Sequence, residues 1–275
     1  MLECVVNVSE GRDPVLVALL AAAAGPSACL DVHRDAYHNR SVLTLAGHDV
    51  EEKVRQVARA VVDHLDLSTH DGVHPRLGVL DVVPFVALAG STLTDATAAR
   101  DRFAHWAGTE LSLPCFLYGP ERSLPEVRRG AFSRFAPDTG PPRGDPRSGA
   151  CCVGAREPMV AYNVWLDGPA VHQGARRIAT VLRSDQMRTL SFAVGRDGQV
   201  SFNLVEPLSV GPEAAYDAVA VRAAQLGLSV TRGELVGLMP AAVLGAIPSR
   251  RWSELGLAPH MTIEARLAPA GPAPA

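Results

Sequence analysis

Lysine is nearly absent from this sequence: Lys53 stands alone among 26 basic residues. A coding bias toward Ala, Arg, Gly and Pro is the simpler account, while bidentate anion recognition is what such a set of arginines favours. An excess of positive charge is missing too, with a net charge of −3 and a pI ≈ 6.3. That excludes the basic footprint of a general nucleic-acid binder, so any anion site is local. The five cysteines, Cys4, Cys29, Cys115, Cys151 and Cys152, are odd in number and contain no Cys-x-x-Cys spacing. Neither a disulfide framework nor a zinc knuckle is indicated, and a reducing cytoplasm fits best. The apolar residues 15–24 are too few to span a bilayer and follow Glu3, Glu10, Arg12 and Asp13 instead of a basic leader, so no membrane partner is expected. What remains is an ordinary globular composition, 47% hydrophobic and 20% charged, in 275 residues that suit one or two domains.

The patterning predicts an alternation of strands and helices. A strand over 2–8 precedes a helix opened by Asp13-Pro14 and stopped by Gly25-Pro26. Strands over 29–33 and 41–46 follow. Asp49 then heads a helix with Val50, Val54, Val57, Ala58, Val61 and Leu65 at helical spacing, and a buried strand spans 79–83. Strand, helix, strand, strand, helix, strand is the order of a ferredoxin-like unit, an antiparallel sheet with both helices on one face. A helix over 94–108 and a strand over 114–118 extend it. Residues 130–154, rich in Pro, Gly and Arg, read as one long loop. The second half repeats the order, with a strand over 159–166, a helix over 169–182, strands over 190–194 and 200–204 joined around Asp197-Gly198, a helix over 212–226 and a strand within 229–238. The expected class is therefore α+β, two ferredoxin-like subdomains facing across a substrate cleft. Their bounds are 1–156 and 157–267, with a disordered tail over 268–275. Trp106, Trp165 and Trp252 read as core or rim residues.

Chemistry concentrates in 68–85, between a helix and a strand. Gly72 and Pro75 prevent a helix there, so His74 sits on a stiff loop at a strand mouth. A histidine so placed can carry a proton near neutral pH, although the Gly and Pro would equally serve a plain turn with solvated or capping histidines. The loop from His33 to Arg40 adds Asp35, His38 and Asn39. A zinc or manganese site of His33, Asp35, His38, His70 and His74 is an alternative, but His70 and His74 lack the helix that would align an H-x-x-x-H pair, and no metal is expected. Arg40 and Arg76 are candidate clamps for carboxylates. Asn7, Ser9, Glu10, Gly11 and Arg12 end the first strand within reach of a cleft, although Ser9 would equally serve as a turn residue, and Cys151-Cys152 carries no sign of an activated thiol.

Six stretches in order, 3–12, Asn39-Arg40-Ser41-Val42, His74-Pro75-Arg76-Leu77-Gly78-Val79-Leu80-Asp81-Val82, Leu117-Tyr118-Gly119, Gly154-Ala155-Arg156 and 234–240, resemble the formiminotransferase domain over nearly the whole chain to about residue 267. The resemblance implies two ferredoxin-like subdomains across a substrate tunnel and a homodimer. It also implies transfer of the formimino group from N-formimino-L-glutamate to tetrahydrofolate, a folate co-substrate, in histidine breakdown. By the same resemblance the catalytic histidine falls on His74 and the folate-binding stretch on 140–149, with Gly140, Pro141 and Gly149; Asn7, Asp35, Asn39, Arg40, His70, Arg76 and Arg156 complete the candidate substrate-binding set, Arg40 and Arg76 to orient the carboxylates of glutamate or the folate tail. His33 stands where the family commonly has an aspartate, and 143–148 lacks the aromatics of the family's folate stretch. No cyclodeaminase region follows, so a bifunctional form is not expected. A metal-dependent amidohydrolase and a non-catalytic protein binding folate or an acidic metabolite are the other readings.

Overall fold

The structure is a computed structural model and describes residues 1–25 and 28–268. Pro26 of the expected helix stop lies outside the described residues, as does the expected disordered tail beyond Ala268. The chain divides into two compact units, Met1–Glu157 and a second that begins at Pro158.

The first unit runs β1 (Leu2–Val8), α1 (Pro14–Ala22), β2 (Cys29–Asp35), β3 (Arg40–Gly47), α2 (Val50–His64), β4 (Leu80–Ala87), α3 (Leu93–Glu110), β5 (Cys115–Tyr118), α4 (Leu124–Gly130) and β6 (Cys151–Arg156). Its six strands lie in the order β2-β3-β1-β4-β6-β5. The first four pair antiparallel, in the ferredoxin-like arrangement, whereas β6 pairs parallel with both β4 and β5. Local chemistry explains the starts. The Asp13 carboxylate accepts from the Val15 and Leu16 N–H groups ahead of α1, with Pro14 at the first helical position. Thr92 and Asp95 close a capping box on α3. Alternation in β1 buries Cys4, Val6 and Val8 on the face that meets Val54, Val57, Ala58 and Val61 of α2 and Phe103 of α3.

The long loop expected over 130–154 is a correction. Its last residues form β6 and α4 precedes it, so the free connection is shorter. Cys151, Val153 and Ala155 alternate into the main core while Cys152 packs with Phe116 and Val127 on the other face. A strand buried on both faces loses the polar alternation that marks a strand in sequence, so periodicity misses it.

The second unit runs β7 (Val160–Asp167), α5 (Val171–Leu182), β8 (Met187–Val194), β9 (Asp197–Leu204), α6 (Pro212–Gln225), β10 (Ser229–Val236), α7 (Ala241–Gly245) and α8 (Ile263–Leu267). Its antiparallel sheet has the order β10-β7-β9-β8. Val160, Tyr162, Val164 and Leu166 of β7 pack with Phe202 of β9, Ile178 of α5 and Val219 of α6. The hairpin turn falls one pair earlier than expected: Val194 faces Asp197, so Gly195 and Arg196 make the turn. Gly198 is a glycine for packing instead, because a Cβ there would sit 2.9 Å from Val171 Cγ2. Trp106 and Trp165 are buried and Trp252 is half-buried, as core and rim positions require.

Candidate active site

One end of the first sheet collects the polar residues. Val8 of β1 faces Ser41 of β3 and Leu80 of β4, so the segment after β1 (9–13), the β2–β3 turn (36–39) and the loop before β4 (65–79) meet there. Asn39 ties the three together. It takes a left-handed φ of 49°, its Oδ1 accepts from the Gly11 N–H at 2.9 Å, and its Nδ2 donates to the Asp71 carbonyl at 2.8 Å. Gly72 permits a close approach, since a Cβ there would lie 2.6 Å from the His38 carbonyl oxygen. Ser9 Oγ donates to the Gly78 carbonyl at 2.8 Å and Ser41 Oγ to the Glu10 carbonyl at 2.5 Å. Buried backbone groups that need partners thus find them across loops.

His74 is half-buried in the middle of this assembly. Its Nδ1 lies 2.8 Å from the Pro75 carbonyl oxygen and its Nε2 lies 2.5 Å from Arg40 Nη1. A carbonyl and a guanidinium as neighbours assign the hydrogen to Nδ1 and the lone pair to Nε2. Burial, then the Arg40 and Arg128 charges, push its pKa down to about 2, so the resting ring is neutral. Burial likewise pulls Arg40 down to about 10 against the Asp81 charge. His38 Nδ1 contacts Asp35 Oδ2 at 2.6 Å, and the His38 ring stands edge-on to His74 with centroids 6.3 Å apart. Burial works against ionisation of Asp35, but hydrogen bonds from the His38 side chain and from the His38 and Tyr37 N–H groups outweigh it and bring the carboxyl down to about 2.

Arg76 has a different fate from Arg40. Its Nε and Nη2 donate to the His74 carbonyl, Nη2 also to the His38 carbonyl and Nη1 to the Asn39 carbonyl, while Nη1 lies 2.6 Å from His70 Nδ1. With its donors on the loop, this guanidinium is a strut. Burial and the Arg76 charge hold the pKa of His70 below its ordinary value.

The structure therefore brings Asp35, Asn39, Arg40, His70, His74 and Arg76 into one cluster. Asn7 lies one residue in from this end of β1, its Nδ2 donating to the Val5 carbonyl. Gly149 joins through backbone contacts: it bridges Gly78, and Ala150 N–H donates to the Leu77 carbonyl. Gly140 and Pro141 stand elsewhere, Gly140 being packed on Leu113 and Gly108 at the end of α3. Arg156 pairs with Val86 in the parallel register, five residues along β4 from Asp81, which is about 16 Å at the usual strand rise. It is at the other end of the sheet.

Two members were not expected from the sequence. Asp81, 1% exposed, accepts from Arg128 Nη2 at 2.6 Å through Oδ2 and from the Leu77 N–H at 2.8 Å through Oδ1. Arg128 comes from α4, whose start was legible in Ser123-Leu124-Pro125-Glu126: Glu126 accepts from the Ser123 N–H at 2.8 Å in a capping box. Among the described residues no three His, Cys, Asp or Glu side chains converge as a metal site, and guanidinium groups occupy the places beside His70 and His74 where a cation would have to bind. Burial pushes the Cys152 thiol up to about 12, which works against a thiolate nucleophile there. A cavity of ≈ 610 Å³ beside α5, lined by Gln173, Arg177 and Leu228 among others, carries none of this cluster.

The sequence profile of the formiminotransferase domain, N-terminal subdomain, matches residues 1–156. The chain belongs to the formiminotransferase family. A glutamate formimidoyltransferase of Streptococcus pyogenes serotype M1 is 33% identical over 271 residues, covering 89% of this chain and 90% of that protein. One from Thermoplasma acidophilum is 32% identical over 274 residues, covering 89% of each. The formimidoyltransferase-cyclodeaminase of Sus scrofa is 34% identical over 277 residues, covering 89% of this chain and 51% of that protein, so the chain spans about half the length of this bifunctionally named relative. Among the described residues no helix is long and apolar enough to cross a membrane.

Proposed function

We propose that this chain transfers the formimino group from N-formimino-L-glutamate to N5 of tetrahydrofolate, with His74 as the acid/base. Tetrahydrofolate is the co-substrate, and the protein works as a cytoplasmic homodimer. Family membership and the names of the two microbial relatives support the reaction class. The observation that carries the residue assignment is the His74 imidazole with Nδ1 on a carbonyl and its Nε2 lone pair facing Arg40, 2.5 Å away.

The chemistry needs one proton moved twice. N5 attacks the amidine carbon and must lose its proton, and the glutamate nitrogen must gain one as its bond to that carbon breaks. Nε2 takes the first proton and returns it to the leaving amine, so the residue ends as it began. Positioned proton transfer of this kind contributes roughly 10²–10⁴-fold, and alignment of the two substrates adds up to about 7–11 kcal/mol.

A pKa near 2 suits a ring that waits. Of the two cations that depress it, Arg40 is the one a donor carboxylate offsets on binding, since Arg128 is already paired with Asp81. A donor carboxylate that draws Arg40 away both uncovers Nε2 and raises its basicity. Arg40 is thus the donor clamp and Arg76 holds the loop in shape. Asn7, Asp35, Asn39 and His70 line the donor end. The stretch from Gly140 through Pro141 to Gly149, stapled to Leu77 and Gly78 at its far end, borders the folate, and Arg156 takes a more distant part of it. Single-turnover formation of 5-formiminotetrahydrofolate by wild type and His74→Ala tests the assignment. The expected loss in the folded variant is about 100-fold or more; a rate within threefold of wild type would remove His74 from the mechanism.

A further inference from the structure

An imidazole base works only if one nitrogen is held as donor and the other left as acceptor, and the bond made at the first nitrogen decides which. In this protein the holding group is a carbonyl shared by two donors. The Pro75 oxygen takes His74 Nδ1–H at 2.8 Å and Arg128 Nη1–H at 2.9 Å. Arg128 is anchored in turn by Asp81 Oδ2 at 2.6 Å, and the other carboxylate oxygen is filled by the Leu77 N–H at 2.8 Å. The guanidinium therefore pairs with Asp81 through one nitrogen and directs the second to Pro75. A plain neutralising ion pair would place both nitrogens on the carboxylate.

We propose that Arg128, seated on Asp81, is a positioning residue for the transfer: its grip on the Pro75 carbonyl fixes His74 as the Nδ1–H tautomer and keeps Nε2 as the proton acceptor. The inference rests on the reading of His74 as the acid/base. It also gives α4 a purpose. The helix is covered on one side by Val82, Phe116 and Cys152, which packs it against the sheet and sets the reach of Arg128. Arg128 does not touch the reacting atoms in this arrangement. The relay ends at the ring: a buried carboxylate orients a cation, the cation orients a carbonyl, and the carbonyl orients the imidazole.

Long-range ¹H–¹⁵N NMR of the full chain reads the tautomer directly, with the His74 signals identified by their loss in His74→Gln. Wild type is expected to show Nδ1–H. Arg128→Gln is expected to show mixed tautomers and a kcat lowered about 10- to 100-fold with KM for the donor within about threefold, a split that general loosening of the site would not give. A wild-type ring protonated at Nε2 overturns the proposal, as does a folded Arg128→Gln that keeps both the wild-type tautomer and kcat. If the Gln variant does not fold, Arg128→Lys, which retains a cation on Asp81 but has no fork to reach Pro75, is judged by the same criteria. A wild type that never transfers the formimino group to tetrahydrofolate defeats the proposed reaction, and the NMR result still decides whether Arg128 sets the ring.

Discussion

The two sheets share one plan and differ in their ends. Read from β2 and from β8, both place the second, third, first and fourth strands of a strand-helix-strand-strand-helix-strand unit side by side. In the first unit the connections at one end are the segments 9–13, 36–39 and 65–79; their counterparts in the second are 168–170, 195–196 and 226–228. The short set turns the chain within two or three residues, as at Gly195-Arg196. The long set carries His74, Asn39, Arg76 and the pinning hydrogen bonds. Equal scaffolds with unequal loops fit a fold that supplies the frame, with the candidate site built on one sheet end of the first unit.

Changes at that end separate the units most sharply. Arg40→Gln is expected to lower kcat/KM for the donor about 10- to 100-fold, the scale of a lost charge-assisted contact of about 1.5–3 kcal/mol, and to move the His74 titration upward because Arg40 is, after burial, the leading cause of its depression. Steady-state kinetics and histidine NMR check both; unchanged kinetics would mean that the donor carboxylates are held elsewhere. Asn39→Ala removes two loop bonds and puts alanine at a left-handed φ, so a loss of about 1–3 kcal/mol in urea unfolding is expected. Arg196→Ala in the short turn of the second unit should leave stability and turnover unchanged, and a comparable loss there would erase the contrast. A further contrast concerns acid. A His held neutral by a lowered pKa contributes stability that is intact above its ordinary value near 6.5 and is lost as pH falls below it toward 2, because the unfolded chain then binds the extra proton. The drop in urea midpoint from pH 7 to pH 5 should therefore be smaller in His74→Gln than in wild type.

Most helices and strands were legible because their signals are local. Apolar spacing in α2, Asp13-Pro14 ahead of α1 and strand alternation in β1 require no knowledge of the rest of the chain. The two misplacements arise where tertiary contacts override such signals. Cys151 to Arg156 is a strand because β4 and β5 flank it in parallel, and Gly198 looks like a turn residue but is required by the Val171 side chain above it.

The site divides in the same way. The sequence alone determined the fold class, the family and the loop that carries His74, since motif order, Gly72 and Pro75 act over a few residues. Only the tertiary structure decided what each charged group does. Arg40 faces Nε2 while Arg76, equally placed in sequence, is consumed by three carbonyls, and Asp81 and Arg128, distant along the chain, meet under Pro75. A guanidinium's role depends on which acceptors lie within about 3 Å of it, and that distance is set by the packing of separate elements.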